Sequence, residues 1–295
     1  MGKQNNLIFS VIVTYHPNTQ TLLNLTKQLL NQKVQVIIVD NTENSYISPP
    51  PEAQIIRLQE NKGIATAQNY GIQKSIEQGA QFICFFDQDS QIEHDYIDKI
   101  LNDWQIATAQ SKKPVAAIGP RFRDVRHHFF YTVIKLNKFG LRKKIDVSQL
   151  TQPLEVSLII SSGSLISASA LEKIGFMLDN FFIDYVDTEW CLRAISQGFS
   201  IFIGSQSIME HAIGDKMIHL LGFNIPVHSP FRRYYRIRNA FFLFHLPYIP
   251  KTLAIREIIF NNIHQIILLI SEKNRKENIK SWLTGIKDGI QGNFK

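Results

Sequence analysis

The chain has 295 residues, of which 44% are hydrophobic and 19% charged, a composition that excludes an intrinsically disordered or fibrous protein. Its formal net charge of +7 comes from Lys and Arg gathered in a few short runs, which suit a phosphate-rich ligand, an anionic membrane surface or a nucleic acid. Only two cysteines are present, so neither a disulfide framework nor a thiolate zinc cluster is expected.

The first 90 residues alternate between strand-like and helix-like patterns. Apolar, β-branched runs predict strands at 7–13, 34–40 and 81–87, with a shorter one in "IIRL". Residues 19–32 and 64–78 have helical patterns between them. Each helix must cross over the sheet to reach the next strand, so we predict an α/β fold with a mostly parallel central sheet flanked by helices.

The pattern is less regular after residue 115. "VAAIGP" predicts a strand, 155–175 reads as strand, tight turn and helix, and "FSIFIGSQSIMEH" predicts a late strand. From Arg232 onward the sequence is helical and aromatic, with breaks at Pro247 and Pro250. We therefore predict two regions, 1–225 containing the sheet and 226–295 forming a helical C-terminal subdomain.

Three acids lie where predicted strands end: Asp40, Asp87 and Asp89. Ligands of parallel sheets bind at the carboxyl ends of the strands, so these acids are expected to converge on one crevice. An acid pair such as Asp87 and Asp89 can hold a hard divalent cation together with substrate phosphates. The alternative is a polar turn that caps the following helix.

Two further segments have the residue types of a binding or catalytic site. "NKGIATAQNYG" (61–71) opens a helix at Asn61 and Gly63, leaving backbone amides where an anion could sit, or else forms an ordinary glycine turn. "FFIDYVDTEWCLRA" (181–194) places acids among aromatic residues, where a raised carboxyl pKa would suit a general base. Acids favoured by a helix dipole are the simpler explanation for part of that segment.

Histidine and arginine supply the remaining candidates. His211 in "MEHAIGD" is either a metal ligand or a core imidazole. Arg232 and Arg238 in "RRYYRIRN" alternate with aromatic residues and could grip phosphate oxygens with their guanidinium forks, or could form a charged helix surface.

The ordered set "TYHP", "VDN", "NKGIATAQNYG", "FFDQDS", "SSGSLIS", "FIDYVDTEWCLRA" and "HSPFRRYYRIRN" resembles the family 2 inverting glycosyltransferases of the GT-A fold. The resemblance runs from about residue 8 to 240, and its later motifs are most similar to the rhamnosyltransferase branch that builds bacterial surface polysaccharides such as O-antigen. It implies a Rossmann-like GT-A domain at 1–225, with a nucleotide-sugar half at about 1–115 and an acceptor half at about 116–225.

The resemblance also implies roles for residues of this chain. Thr14, Tyr15 and Asp40 would hold the nucleotide, Asp87 would lie near the ribose, and Asp89 would bind a Mg²⁺ or Mn²⁺ that bridges the donor diphosphate. Gln68 stands where the wider family often has Arg. A Gln at this position resembles the sequences of the rhamnosyltransferase branch. Spacing back from Arg193 aligns the family's catalytic base with Asp187.

The expected reaction is transfer of L-rhamnose from dTDP-rhamnose to a glycan acceptor that is lipid-linked. The rivals are a UDP-hexose-dependent enzyme of the same fold, a nucleotidyltransferase and a non-catalytic nucleotide-sugar binder. Charge alone would suggest nucleic-acid binding, which we do not expect.

The location predicted from the sequence is cytoplasmic, since the apolar run before Pro17 is too short for a secretory signal. Basic and apolar residues in the C-terminal third favour peripheral contact with the inner face of the cell membrane. Polar residues interrupt each apolar run there, so no membrane span is expected. An ordinary helical core is the alternative reading of that third.

Overall fold

The computed structural model describes residues 7–44, 47–125, 128–211, 217–220, 223–272 and 274–292. The side chains of His211 and of 217–226 lie outside that description. The strands are β1 (Ile8–Thr14), β2 (Gln35–Asp40), β3 (Gln54–Arg57), β4 (Phe82–Asp87), β5 (Val115–Asp124), β6 (Val133–Leu136), β7 (Arg142–Ile145), β8 (Leu154–Val156), β9 (Leu165–Ser167), β10 (Ser200–His211), β11 (Met217–Leu220) and β12 (Phe223–Pro226). The helices are α1 (Thr19–Asn31), α2 (Gly63–Glu77), α3 (Tyr96–Gln110), α4 (Ala168–Ile174), α5 (Val186–Ser196), α6 (Pro230–His245), α7 (Lys251–Ser271) and α8 (Arg275–Gln291), with a 3-10 turn at Asp179–Phe181.

The central sheet has eight strands in the order β3-β2-β1-β4-β9-β5-β10-β8. Strands β3, β2, β1 and β4 pair in parallel, as do β5 and β10, while the short strands β8 and β9 run antiparallel to their neighbours. The predicted α/β fold with a mostly parallel sheet is therefore confirmed.

Alternate residues of the central strands enter two hydrophobic clusters on opposite sheet faces. In β1, for example, Phe9 and Val11 belong to one cluster, whereas Ile8 and Ile12 belong to the other. Burial on both sides explains why these strands read as continuous apolar runs. Helix α2 packs so closely on one face that a Cβ on Gly71 would collide with Val11.

Helices α6, α7 and α8 pack against one another, and α6 and α7 also join the core of the sheet. Phe242 and Leu243 of α6, with Leu253 and Ala254 of α7, belong to the same hydrophobic cluster as Phe9 and Val11. The boundary at 225/226 remains a prediction, because the C-terminal helices share this core.

Helix α7 is long and apolar enough to cross a membrane by length and composition. By length and composition, the expectation that polar residues leave no sufficiently long apolar stretch in the C-terminal third is therefore wrong. The polar residues do not break α7, because they gather on the face that packs against the protein, where Glu257, Asn261 and Gln265 are buried.

Candidate active site

The parallel register brings the predicted strand-end residues to one edge of the sheet. Thr14 lies opposite Asp40 across β1 and β2, and Val13 lies opposite Asp87 across β1 and β4. Asp89 follows Asp87 by two residues, so the three acids expected to converge do so at this edge.

Asp40 presents one bonded and one unbonded carboxylate oxygen. Its Oδ1 accepts hydrogen bonds from the Thr14 hydroxyl at 3.0 Å and from the Thr42 backbone N–H at 3.2 Å. Its Oδ2 is buried and has no hydrogen-bond partner among the described residues. A buried acceptor left without a donor is costly, so this oxygen is suited to a ligand N–H.

The segment after β4 is tied to the segment after β1. The Gln88 side chain accepts a hydrogen bond from the Tyr15 N–H at 2.7 Å and donates one to the Tyr15 carbonyl at 3.2 Å. The Asp87 N–H donates to the Ser162 hydroxyl at 3.2 Å. Gln88 thus points back into the protein, whereas the residues on either side of it, Asp87 and Asp89, are exposed at the rim.

Asp87 and Asp89 are two exposed carboxylates separated by one residue. The described residues contain no group of three or more His, Cys, Asp or Glu side chains that could enclose a metal ion. Two exposed carboxylates fit a cation that takes its remaining ligands from phosphates and water, as Mg²⁺ does. The His211 backbone ends β10 beside Asp124, and its side chain, predicted as a ligand, lies outside the described part.

The N-terminus of α2 is not open to an anion, which corrects the expectation for Asn61 and Gly63. The Ile64 N–H donates to the Phe182 carbonyl at 2.7 Å, and the Gly63 N–H donates to Asn61 Oδ1 at 3.1 Å. Gly63 has φ +84°, and a Cβ there would lie 2.6 Å from the Phe182 ring. The turn therefore receives the segment before α5 rather than a phosphate.

That segment has an unusual backbone. Phe182, Asp184 and Tyr185 all have positive φ values of 62–64°, a region that non-glycine residues occupy at a cost. Asn239 of α6 holds it in place by donating to the carbonyls of Phe181, Ile183 and Asp184 at 2.7, 2.9 and 3.1 Å. Helix α6 thereby fixes the path of the chain just before Asp187.

Asp187 lies in the first turn of α5 and borders a small pocket. Burial raises the pKa of this carboxyl to about 6, and the negative charges of Asp184 and Asp87 act in the same direction. Hydrogen bonds from the backbone of Thr188, at 2.7 Å, and of Ser161 oppose the rise. The result is a carboxylate that is ionised at neutral pH yet more basic than an ordinary aspartate.

The neighbouring acids are committed to ion pairs. Although burial disfavours its charge, Asp184 is held below its ordinary pKa by Arg236 at 3.2 Å and Arg232 at 3.1 Å. Glu189 is fully buried and pairs with Arg193 at 2.8 Å. Of the three acids, only Asp187 has no cationic partner among the described residues, which distinguishes it as the candidate base.

Of the remaining predicted residues, Arg238 and Gln68 are buried and Arg232 is partly exposed. Arg238 is only 3% exposed and donates to the Asn180 carbonyl and to Asn239, so the structure does not bring it to the ligand edge. Arg232, whose side chain is 42% exposed, pairs with Asp184 at 3.1 Å, and its role toward a ligand stays a prediction. Gln68 is buried in α2, and its Oε1 has no partner among the described residues.

Comparison with known proteins adds independent information. The family description "Glycosyl transferase family 2" matches residues 10–175. The dTDP-rhamnosyl transferase RfbF of Shigella flexneri is 40% identical over 292 residues, which cover 98% of this chain and 97% of that protein.

Solved structures resemble the fold at low sequence identity. GalNAc-T7 with UDP, GalNAc and Mn²⁺ has a TM-score of 0.55 at 12% identity, covering 92% of this chain and 59% of that one. S. aureus TarS has the same TM-score at 14% identity, covering 96% of this chain and 48% of that one. For TarS 1-349 the TM-score is again 0.55 at 15% identity, covering 96% of this chain and 80% of that one.

Proposed function

The chain belongs to glycosyl transferase family 2 and has the GT-A fold, and we propose that it transfers L-rhamnose from dTDP-rhamnose to a glycan acceptor with inversion. The donor proposal is supported by the name of the 40% identical relative. The observation that carries the mechanism is Asp187, a carboxyl with a pKa of about 6 at the end of a segment fixed by α6.

Asp187 is proposed as the general base. Its carboxylate takes the proton of an acceptor hydroxyl as that oxygen bonds to the anomeric carbon, while the bond from that carbon to the diphosphate oxygen breaks. The electron pair leaves with dTDP, and one displacement inverts the configuration. At neutral pH most of the base is ionised, and the raised pKa strengthens its attraction for the proton.

Asp40 is proposed to select the nucleobase. Thymine carries an N3–H donor, which would satisfy the unpaired Oδ2 of Asp40, while Thr14 and Thr42 hold the other oxygen. Uracil carries the same N–H, so this contact does not by itself separate dTDP from UDP. Tyr15, exposed beside it, and Gln68 are proposed to line the rest of the donor site.

A Mg²⁺ or Mn²⁺ is proposed to bind at Asp89, with Asp87 beside it near the ribose. When bound, the ion would neutralise charge on the donor diphosphate. Asp89→Ala should remove the metal dependence of dTDP affinity, whereas Asp98→Ala, an exposed acid of α3, should not. If Asp89→Ala bound dTDP with unchanged affinity and unchanged Mn²⁺ dependence, the metal assignment would be wrong.

We propose a lipid-linked glycan at the cytoplasmic face of the membrane as the acceptor, with residues 1–115 binding the donor and 116–225 the acceptor. Most of the exposed large apolar side chains among the described residues lie in the C-terminal third, which supports a membrane-bound substrate. This class would place the enzyme in surface polysaccharide synthesis.

The test is release of nucleoside diphosphate from a panel of nucleotide sugars, with and without Mn²⁺, using membrane extract as the acceptor source. Metal-dependent release from dTDP-rhamnose alone is expected. Release from a UDP-hexose would replace the donor while keeping the mechanism. Donor binding without release on any acceptor would favour a non-catalytic binder.

A further inference from the structure

Helix α7 is apolar on the side that faces away from the protein. Isoleucines 255, 259, 263, 266 and 270 recur at helical spacing along that side and are 45–73% exposed. The opposite side buries Glu257, Asn261 and Gln265. We call the five isoleucines the outer stripe. Such a helix has the polarity of a soluble amphipathic helix reversed, and a contiguous exposed apolar stripe is typical of an interaction surface.

The inner polar side of α7 is satisfied by hydrogen bonds, so the orientation is specific. Gln265 accepts from the fully buried Arg233 at 2.8 Å, and Glu257 pairs with Arg142 at 3.0 Å. Turning the outer stripe inward would leave these groups without partners at considerable cost. The exposed isoleucines are therefore a consequence of a defined structure.

A basic hairpin extends the outer stripe at its N-terminal end. The hairpin, formed by β6 and β7, carries Phe139 and Leu141 at its tip, 62% and 56% exposed. Its tip is fixed to α7, because the Thr252 hydroxyl donates to the Phe139 carbonyl. Thr252 lies one turn before Ile255 on the same side of the helix. The hairpin bears no acidic side chain and five basic ones, of which Lys135 and Arg142 pair with Glu155 and Glu257. The other three, Lys138, Lys143 and Lys144, have no acidic partner among the described residues.

We propose that the outer stripe and the hairpin tip together form a docking surface for an anionic lipid bilayer, with α7 lying in the plane of the interface. An apolar stripe flanked by Lys and Arg matches the acyl boundary and the negative headgroups of such a membrane. A second copy of this chain is the competing occupant. It would bring two sets of hairpin cations together, and that charge repulsion favours the bilayer.

The docking surface is connected to the candidate base through one layer of side chains. The Tyr185 hydroxyl donates to Glu257 at 2.9 Å and accepts from Asn261 at 2.7 Å, both on the inner side of α7. Tyr185 precedes Asp187 by two residues. The surface thus fixes the distance of the catalytic segment from the bilayer, which suits a lipid-linked acceptor. Docking to the bilayer does not depend on the proposed function. Only the role of the surface in placing Asp187 near a lipid-linked acceptor rests on it.

The experiment measures binding of the full chain to vesicles of phosphatidylcholine alone and of phosphatidylcholine with phosphatidylglycerol. The test variant is Ile259→Ser/Ile263→Ser/Ile266→Ser, since these side chains point outward and are 47–50% exposed. Its matched control is Leu7→Ser/Val125→Ser, which removes exposed apolar side chains outside the docking surface. Circular dichroism and dTDP binding establish that each variant is folded.

We expect the wild type and the control to bind the anionic vesicles. The affinity of the triple variant for these vesicles should be at least about 10-fold lower. Lys138→Glu/Lys143→Glu/Lys144→Glu should reduce binding to anionic vesicles only. Equal binding by the triple variant would overturn the proposal. The proposal would also be overturned if the wild type did not bind vesicles but formed a dimer, and if the triple variant were monomeric. Donor turnover is scored separately, so vesicle binding without rhamnosyl transfer would overturn only the proposed function.

Discussion

Replacing the proposed base should make the enzyme inactive and more stable. The carboxyl of Asp187 has a pKa of about 6 against an ordinary 3.8, so the native state binds its proton more tightly than the unfolded chain. The free energy of unfolding therefore falls as pH rises from about 4 to about 6, by about 3 kcal/mol at 1.36 kcal/mol per pH unit. Asp187→Asn keeps the shape and the bond from Thr188 but has no charge to bury.

The variant should accordingly gain up to about 3 kcal/mol at pH 7.5 and only about 1 kcal/mol at pH 4.5, where the native carboxyl is protonated. At about 2–4 °C per kcal/mol, thermal unfolding at pH 7.5 should shift upward by several degrees. Rhamnosyl transfer should fall about 10²- to 10⁴-fold with dTDP affinity unchanged.

Differential scanning fluorimetry at the two pH values, calorimetry with dTDP and a transfer assay measure these effects. Glu172→Gln, an exposed acid of α4, is the matched control and should change none of them. If Asp187→Asn were less stable than wild type at pH 7.5, burial of the Asp187 charge would not lower the free energy of unfolding as expected. Normal transfer by the variant would refute the assignment of the base.

Three further outcomes are expected. The transfer rate at saturating donor should rise with pH through about 6 as Asp187 ionises, and a rate that is flat between pH 5 and 7 would contradict this. Asp40→Asn should weaken dTDP binding about 10-fold in calorimetry, because the amide NH₂ group can take the place of the unpaired Oδ2 and would then face the N3–H donor of thymine. Unchanged affinity would assign Asp40 a purely structural role. Gly63→Ala should lower the free energy of unfolding in urea by about 2 kcal/mol or more, since it adds a clash with Phe182 to backbone strain. Gly198→Ala has nearly the same φ with nothing within 4 Å of the added carbon, so an equal loss there would show that the Phe182 contact is unimportant.

The strand-end chemistry could be predicted because it depends on local rules. Buried parallel strands read as apolar runs, and the polar residues that end them, such as Asp40 and Asp87, must share an edge once the order of strands is known. Helix α3 carries the same kind of local signal, because Ile97, Ile100 and Ala107 lie on one buried face.

The rest of the site depends on contacts between distant parts of the chain. Whether the amides of α2 are open to an anion is decided by the carbonyl of Phe182, more than 100 residues away. The alternation in "RRYYRIRN" suggested phosphate forks, yet Arg238 and Asn239 hold backbone carbonyls. Likewise, the sequence of α7 predicts a helix with one polar and one apolar side. Which side faces the protein depends on distant partners, such as the Arg233 that donates to Gln265.

The bonds from Asn239 to the segment before Asp187 bear on how this enzyme could be recombined with its relatives. The region matched to the family ends at residue 175, before the proposed base, while the helix that holds the base segment extends to His245. A chimaera joined after this loop and before α6 would combine a strained loop from one parent with an Asn239-bearing helix from the other. An exchange of this region between relatives should therefore move 179–245 as one block, so that the loop and α6 come from the same parent.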